Sequence, residues 1–421
     1  MKINTITRDY RDTVKERKND INKRSFTKDS LHHPFSKERE YIRALNATKI
    51  ERLFAKPFLY ALSDHKEGIK GIELHGDSVI SYSFDNSAIL WSLDEKRKIW
   101  TFDMEKTILS ADINDRGMCI TQGNELFYYS KIKEDESIKK EIKVKHKFSC
   151  DGMFNCVKLQ EELCCATTNG LEIFDFEKKK SAIQLGKESF HGCFLSNKQP
   201  NIILCTFSNE IYLFDKRENK SVGKIENGIK TNEICCNQMR ENVFISANED
   251  TNLYLHDLRY LSKPTTTYRN HVNSVLSVDF KPNGEEFISG SYDKTIRIFR
   301  TDDCRSRDVY YNQRMQNVYG VRYSECGMFV VSGSDDGSIR VWKSNASHKE
   351  GKLTRREKES LKYSEILKEK FSDFPEIKQI SKHRFLPKKL RNEMKDTHFH
   401  YKADERKKAL YEEKRNLKKE R

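Results

Sequence analysis

A short apolar strand ending in an aromatic residue or a histidine recurs seven times between residues 89 and 342. The copies are Ile89-Leu90-Trp91, Leu126-Phe127-Tyr128, Glu172-Ile173-Phe174, Tyr212-Leu213-Phe214, Tyr254-Leu255-His256, Arg297-Ile298-Phe299 and Arg340-Val341-Trp342. Their last residues lie 37, 46, 40, 42, 43 and 43 positions apart, the period of a four-stranded sheet repeated around an axis. The expected body is all-β, a propeller of seven blades.

The last two repeats align without a gap at a shift of 43. Val275 falls on Val318, Val278 on Val321, Phe280 on Tyr323, Ser289-Gly290-Ser291 on Ser332-Gly333-Ser334, Asp293 on Asp336 and Ile296 on Ile339. Alternating apolar and polar residues predict half-buried strands, and Asn283-Gly284 and Cys326-Gly327 predict hairpin turns with glycine at positive φ. A serine four residues before an aspartate recurs as Ser81/Asp85, Ser246/Asp250, Ser289/Asp293 and Ser332/Asp336. With His65 before it and Trp91 after it, the first pair makes a set of four polar groups able to tie a blade's strands together by linked hydrogen bonds. His271, Ser289 and Asp293 repeat it in blade 6. This resembles the structural tetrad of WD-repeat propellers. The set is incomplete beyond blade 1, because Phe299 of blade 6 has no N–H and Arg314 stands where His271 stood one blade earlier.

The eleven cysteines all lie between 119 and 326, two pairs are sequence neighbours, and no CxxC or Cys/His ligand spacing occurs. Adjacent residues of a strand face opposite ways and do not readily share a disulfide, so buried free thiols in a reducing compartment are expected and no metal site. No apolar run reaches the length of a membrane span and no secretory signal is evident, which leads us to expect a protein neither secreted nor membrane-spanning. Charge is divided unevenly. Residues 1–56 hold 15 Lys/Arg against 8 Asp/Glu, net +7, and residues 343–421 hold 25 against 14, net +11. The total is +14, which leaves −4 for the body. The positive charge belongs to two arms, as expected where arms reach phosphates or acidic protein surfaces.

After Trp342 the run Lys343-Ser344-Asn345-Ala346-Ser347 has no strand pattern, so the seventh blade lacks its outer strand. Phe58-Leu59-Tyr60-Ala61-Leu62 upstream is an apolar run with no other partner, and residues 57–62 are expected to close the ring. The expected organisation is a basic arm over 1–56, the propeller over 57–342 and a basic helical domain over 343–421. In the last, Thr354-x-x-Glu357 predicts a capping box, and Tyr363, Ile366, Leu367, Phe371 and Phe374 follow at helical spacing before Pro375 stops the run. That apolar stripe is expected to bury against the propeller or a partner. Ile377, Ile380 and the basic stretch Lys382-His383-Arg384-Phe385-Leu386-Pro387-Lys388-Lys389 follow. The charged segment from about Ala403 is polar nearly all round and is expected to settle only on a large partner.

Two blocks flanking the blades carry a family resemblance. His33-Pro34-Phe35, Arg39-Glu40-Tyr41, Arg43-Ala44-Leu45-Asn46-Ala47-Thr48-Lys49, Glu51-Arg52 and Phe54-Ala55-Lys56-Pro57-Phe58 resemble the opening of the Sof family of WD-repeat proteins. Phe374-Pro375-Glu376-Ile377-Lys378, Ile380-Ser381-Lys382-His383-Arg384 and Leu386-Pro387-Lys388 are similar to the domain that follows the propeller in that family. The resemblance implies a seven-bladed WD-repeat β-propeller with a basic N-terminal arm and an α-helical C-terminal Sof-like extension. It also implies a non-catalytic assembly factor of the small-subunit processome in the nucleolus of the nucleus, needed for early precursor rRNA cleavages and small ribosomal subunit maturation. The implied partners are precursor small-subunit rRNA, a box C/D small nucleolar ribonucleoprotein and other processome proteins within one large ribonucleoprotein particle. Contact with RNA or partners is expected from Lys49, Arg52, Lys56, Lys382, His383, Arg384, Lys388, Lys389 and Arg391, with Phe385, Phe399 or Tyr401 stacking on unpaired bases. Blades 2 to 4 depart from the pattern, with Asn124, Asn169 and Asn209 where Asp is usual and a charged insertion over Lys131 to Lys145.

Some relatives are cullin-associated substrate receptors of a ubiquitin ligase, which carry a Trp-Asp-x-Arg sequence after a blade strand. Phe214-Asp215-Lys216-Arg217 and His256-Asp257-Leu258-Arg259 come nearest and lack the Trp. No P-loop, GxSxG elbow or HExxH sequence is present, so no catalytic residue and no cofactor is expected.

Overall fold

The computed structural model describes residues 35–130, 144–160, 162–174, 181–195, 201–218, 220–348, 351–384 and 386–419. Within these, the chain forms 28 strands and four helices, and the strands make seven antiparallel four-stranded sheets. Blades 1 to 6 each use four consecutive strands and span 69–103, 108–149, 154–185, 192–226, 231–268 and 275–310. The seventh takes Val318–Tyr323, Phe329–Ser334 and Ile339–Lys343, and its outer strand is Phe58–Leu62. That strand pairs antiparallel with the last of the chain's strands, Tyr60 opposite Val341 and Leu62 opposite Ile339. The Phe58 ring meets Trp342 edge-on at 5.4 Å.

Burial explains why the repeats carry the residues they do. The Ser-Gly-Ser triplets of blades 6 and 7 put a glycine where the innermost strand of the next blade crosses. A Cβ at Gly290 would lie 2.5 Å from Val321, and one at Gly333 would lie 2.7 Å from Ile72. Apolar cores fill the spaces between neighbouring sheets, for example Ile69, Ile72 and Trp91 of blade 1 with Val331, Ile339 and Val341 of blade 7. Gly284 and Gly327 take φ of 70° and 66° in their hairpin turns.

Two compact units divide the molecule, one of residues 58–344 and 385–421 and one of residues 1–57 and 345–384. The second holds α1 (Ser36–Leu53), α2 (Arg355–Lys370) and α3 (Pro375–Lys382). Ala44 of α1 packs with Leu367, Phe371 and Ile377, and Tyr41, Leu45 and Tyr363 lie around them. Tyr41 meets the Phe371 ring at 5.9 Å and Phe374 at 5.1 Å. Ion pairs flank this core, Lys368 with Glu51 at 2.8 Å and Lys370 with Glu40 at 2.6 Å.

Two expectations are corrected here. The stripe of α2 buries against the N-terminal helix, and only part of it does so, since Ile366 and Phe374 remain 61% and 48% exposed. Pro375 starts a helix instead of only ending one, because its fixed φ suits the first turn, where its missing N–H is not needed. The charged C-terminal segment is helical from Lys388, in α4 (Lys388–Lys419), which belongs to the propeller's unit. The capping box forms: Thr354 Oγ1 accepts from the Glu357 backbone N–H at 3.3 Å, and the Glu357 carboxylate accepts from the Thr354 N–H at 3.0 Å. Phe385 and insertion residues 131–143 lie outside the described residues, as do residues 1–34 with His33 and Pro34 of the opening block.

Candidate interaction surfaces

In blade 1, Ser81 Oγ accepts from Trp91 Nε1 at 2.8 Å and lies 2.7 Å from His65 Nε2. The other imidazole nitrogen, Nδ1, is 3.1 Å from Ser87 Oγ and 3.5 Å from Asp85. Burial would raise the Asp85 carboxyl, but hydrogen bonds from the Ser87 side chain and from the Lys66 and Ser87 N–H groups hold it at about 2. In blade 6, His271 Nδ1 lies 2.8 Å from Asp293 and Nε2 lies 2.6 Å from Ser289 Oγ. An ionised carboxylate only accepts, so Nδ1 carries the proton and the Ser289 hydroxyl donates to Nε2. Burial lowers the pKa of both histidines despite their aspartates and keeps them neutral near pH 7. These closed networks, without a cleft or displaced proton, brace strands.

Register exposes equivalents that the sequence hid. Ser81 lies opposite Ile89, two residues before Trp91, and Ser246, Ser289 and Ser332 lie likewise before His256, Phe299 and Trp342. In blades 3 and 4 that place is taken by Cys165, opposite Glu172, and Cys205, opposite Tyr212. Both thiols are fully buried, with pKa values pushed well up by burial. The eleven cysteines are all free. Five are buried, but Cys304 and Cys326 are exposed, which corrects the expectation of uniform burial.

Sequence reading also missed a charge network around the propeller axis. The Arg322 guanidinium donates to both Glu73 carboxylate oxygens at 2.8 Å and to Glu233 at 2.6 Å, and Lys158 donates to Glu73 at 2.6 Å. Asp112 accepts from the Leu159 N–H at 2.6 Å and Asp279 from the Tyr323 N–H at 2.7 Å. These side chains, with hairpin residues such as His75 and Glu325, line a cavity of about 450 Å³. Burial would raise Glu73, but Arg322 and Lys158 pull it far down. Burial pushes Asp279 up to about 6 against the pull of Arg322. Each member sits alone on the innermost strand of a different blade, and the signal in the sequence is only a charged residue inside an apolar strand. Among the described residues no group of three or more His, Cys, Asp or Glu is placed to hold a metal ion.

The predicted contact residues divide between the units. Lys49, Lys56, Lys382 and His383 are exposed in the helical unit. Arg52 and Arg384 instead spend their guanidiniums inside it: both donate to the Ser381 carbonyl, at 2.7 and 2.6 Å, at the negative C-terminal end of α3. Lys388, Lys389 and Arg391 are exposed in the first turn of α4. Of the predicted stacking residues, Phe399 is 71% exposed, while the Tyr401 ring lies 4.1 Å from the Arg269 guanidinium.

The two Asp-x-Arg turns are near copies. Arg217 closes on Asp215 through bonds of 3.1 and 2.9 Å, and Arg259 on Asp257 through bonds of 3.0 and 2.7 Å. Each aspartate also accepts its arginine's own backbone N–H at 3.0 Å. Both arginines stay largely exposed, on adjacent blades.

Comparison with known proteins agrees with this architecture. Residues 344–421 match the Sof1-like domain, and residues 262–300 and 310–343 match the WD domain, G-beta repeat. Over 94% of its length the chain is 34% identical to DDB1- and CUL4-associated factor 13 of Xenopus tropicalis, covering 91% of that protein. It is 32% identical to Protein SOF1 of Saccharomyces cerevisiae, over 93% of this chain and 87% of that one. The WD40 β-propeller domain of Doa1 shares the fold, with a TM-score of 0.56 and 17% identity over 68% of this chain and 96% of that one.

Proposed function

The chain belongs to the Sof1-like family of WD-repeat proteins, and on that premise we propose that it is a non-catalytic scaffold in ribosome biogenesis, an assembly factor of the small-subunit processome acting in the nucleolus. The observation that carries this reading is similarity to Protein SOF1 along nearly the whole chain, with a Sof1-like domain over residues 344–421. The physical layout supports it. Seven closed sheets, several of them braced by buried polar networks, make a rigid docking body, and most of the excess positive charge lies outside them. Lys49, Lys56, Lys382 and His383 on the helical unit and Lys388, Lys389 and Arg391 on α4 would contact precursor rRNA or its ribonucleoprotein neighbours through salt-sensitive phosphate pairing. Arg52 and Arg384 would hold α3 in place for them.

The test is ultraviolet crosslinking of the tagged protein in its own cells, with sequencing of bound RNA, combined with depletion and northern analysis of precursor rRNA. Crosslinks on small-subunit precursor or its guide RNA, with early cleavage precursors accumulating, are expected. Absence of both results would sink the assembly-factor reading.

A second reading, receptor for a cullin-type ubiquitin ligase, is favoured by one specific observation: the paired Asp215/Arg217 and Asp257/Arg259 turns display two exposed guanidiniums in the same geometry on neighbouring blades. Several relatives are named DDB1- and CUL4-associated factor 13. Charge reversal at Arg217 and Arg259 separates the roles, since it would abolish binding to DDB1 while leaving rRNA processing intact.

A further inference from the structure

Helix α4 begins with Lys388, Lys389 and Arg391 and has no acid in its first turn. Three cations there face the positive end of the aligned peptide dipoles, a locally unfavourable arrangement that an anion would relieve. At about 100° per residue, Lys388, Arg391, Lys395, Phe399, Lys402 and Arg406 fall within a sector about 80° wide, running about 27 Å along the helix. All six are exposed. Glu393, Asp396, Asp404 and Glu405 lie outside that sector, so between residues 388 and 411 it carries five cations, one aromatic ring and no carboxylate.

Another side of the helix, turned about 110° away, is held to the propeller. Met394 Sδ accepts from the Arg297 guanidinium at 3.4 Å, and Tyr401 lies under Arg269. The sector with Phe399 therefore faces outward, and a ring 71% exposed among lysines contributes nothing to the core of the fold.

We propose that this outward stripe of α4 is a binding site for single-stranded RNA, with the cations on successive phosphates and Phe399 stacked on one unpaired base. The inference deepens the reading of the chain as a ribonucleoprotein assembly factor and rests on it for the source of the RNA. Unpaired bases are the partner that uses both features: a duplex hides its base faces from an aromatic side chain, and an acidic protein surface would pair with the lysines without engaging the ring.

The test uses the purified full-length chain and fluorescence anisotropy with a labelled oligouridine of about twelve nucleotides, an RNA duplex of equal length and polyglutamate as competitor. Phe399→Ala is expected to weaken oligouridine binding about tenfold, within the range for losing one stacked base. Lys395→Glu with Lys402→Glu should weaken it further and reduce the slope of log affinity against log salt by about 1.4. Lys407→Glu, on another side of the helix and paired with Asp404, should change neither. Every substituted side chain is exposed, so thermal melting should be unchanged. Binding by the Phe399 and lysine variants equal to that of Lys407→Glu would overturn the proposal. So would preference for duplex, or displacement by polyglutamate with no dependence on Phe399, which would make the stripe a surface for acidic protein. Normal rRNA processing after depletion, alongside intact oligouridine binding, would count against the assembly role and not against the stripe.

Discussion

The Ser81 hydroxyl accepts from Trp91 and pairs with His65, so its loss would strand two buried groups at once, a cost of about 1–3 kcal/mol each. Blades 3 and 4 avoid that exposure to loss by holding Cys165 and Cys205 there, paired in the sequence with Phe174 and Phe214 in place of Trp. The motif was legible in blade 1, where all four polar members remain, and in blade 6, where only the Trp is replaced, by Phe299, and illegible in 3 and 4 because apolar packing replaced them together. Blade 5 lies between. His256 replaces the Trp, sits 3.2 Å from Ser246 Oγ and stacks on Phe244 at 5.0 Å, and burial pushes its pKa down to about 4. A histidine depressed from about 6.5 contributes stability above that pH and loses it as pH falls toward 4, whereas Asp279, raised to about 6, contributes below about 4 and loses it as pH rises through 6. The two slopes oppose each other, so substitutions separate them. His256→Phe should flatten the acid-side loss of melting temperature between pH 6.5 and 4. Asp279→Asn should remove the gain over the same range, each worth at most about 3 kcal/mol. Parallel pH profiles for both variants and the parent would show that neither group titrates as its burial implies.

Among the strands of the described residues, Phe58–Leu62 is the one whose ladder partner lies far away in sequence. It was legible because seven aromatic-ended strands left one sheet short of an edge, a deficit that any apolar pentapeptide upstream could fill. Its pairing covers the edge of Ile339–Lys343, and Leu62 enters the core shared by blades 1 and 7. Truncation beyond residue 62 removes those contacts and leaves a bare strand edge. The truncated chain is expected to melt lower and to form oligomers in size-exclusion chromatography with light scattering. A monomer with unchanged melting temperature would show that the ring does not depend on this closure. Helix α1 was not legible in the same way, because its buried face is Ala44 and Thr48 flanked by Tyr41 and Leu45. A stripe so short of large aliphatic residues gives no strong helical periodicity. The axial network around Arg322 was illegible for a different reason, since its members come from six blades and meet only after the ring closes.

At the scale of the whole molecule, the two basic ends read from the sequence as separate arms, and the fold turns part of each into one helical body. Residues 1–57 and 345–384 share a compact unit, and its core needs both: Tyr41 and Ala44 from one end, Leu367, Phe371 and Ile377 from the other. Neither end buries enough apolar surface alone to offset the entropy of ordering it. The charge pattern has the same logic, because Glu40 and Glu51 are taken up by Lys370 and Lys368 across the unit. Those pairs neutralise two of its lysines within the unit, while Lys49, Lys56 and Lys382 stay exposed on its surface. Phe371 is the keystone, 8% exposed and in edge contact with Tyr41. Phe371→Ala should cost about 3 kcal/mol or more through lost burial and the cavity left behind. Because the second helix of the core belongs to the other end of the chain, hydrogen exchange should report the loss at the α1 amides of residues 36–53. Amides of the blade 6 strands Val275–Phe280 and Glu286–Ser291, which belong to a different core, should keep their protection. Unchanged exchange in α1 would mean that its helix stands without the C-terminal partner, and the coupling of the two ends would have to be abandoned.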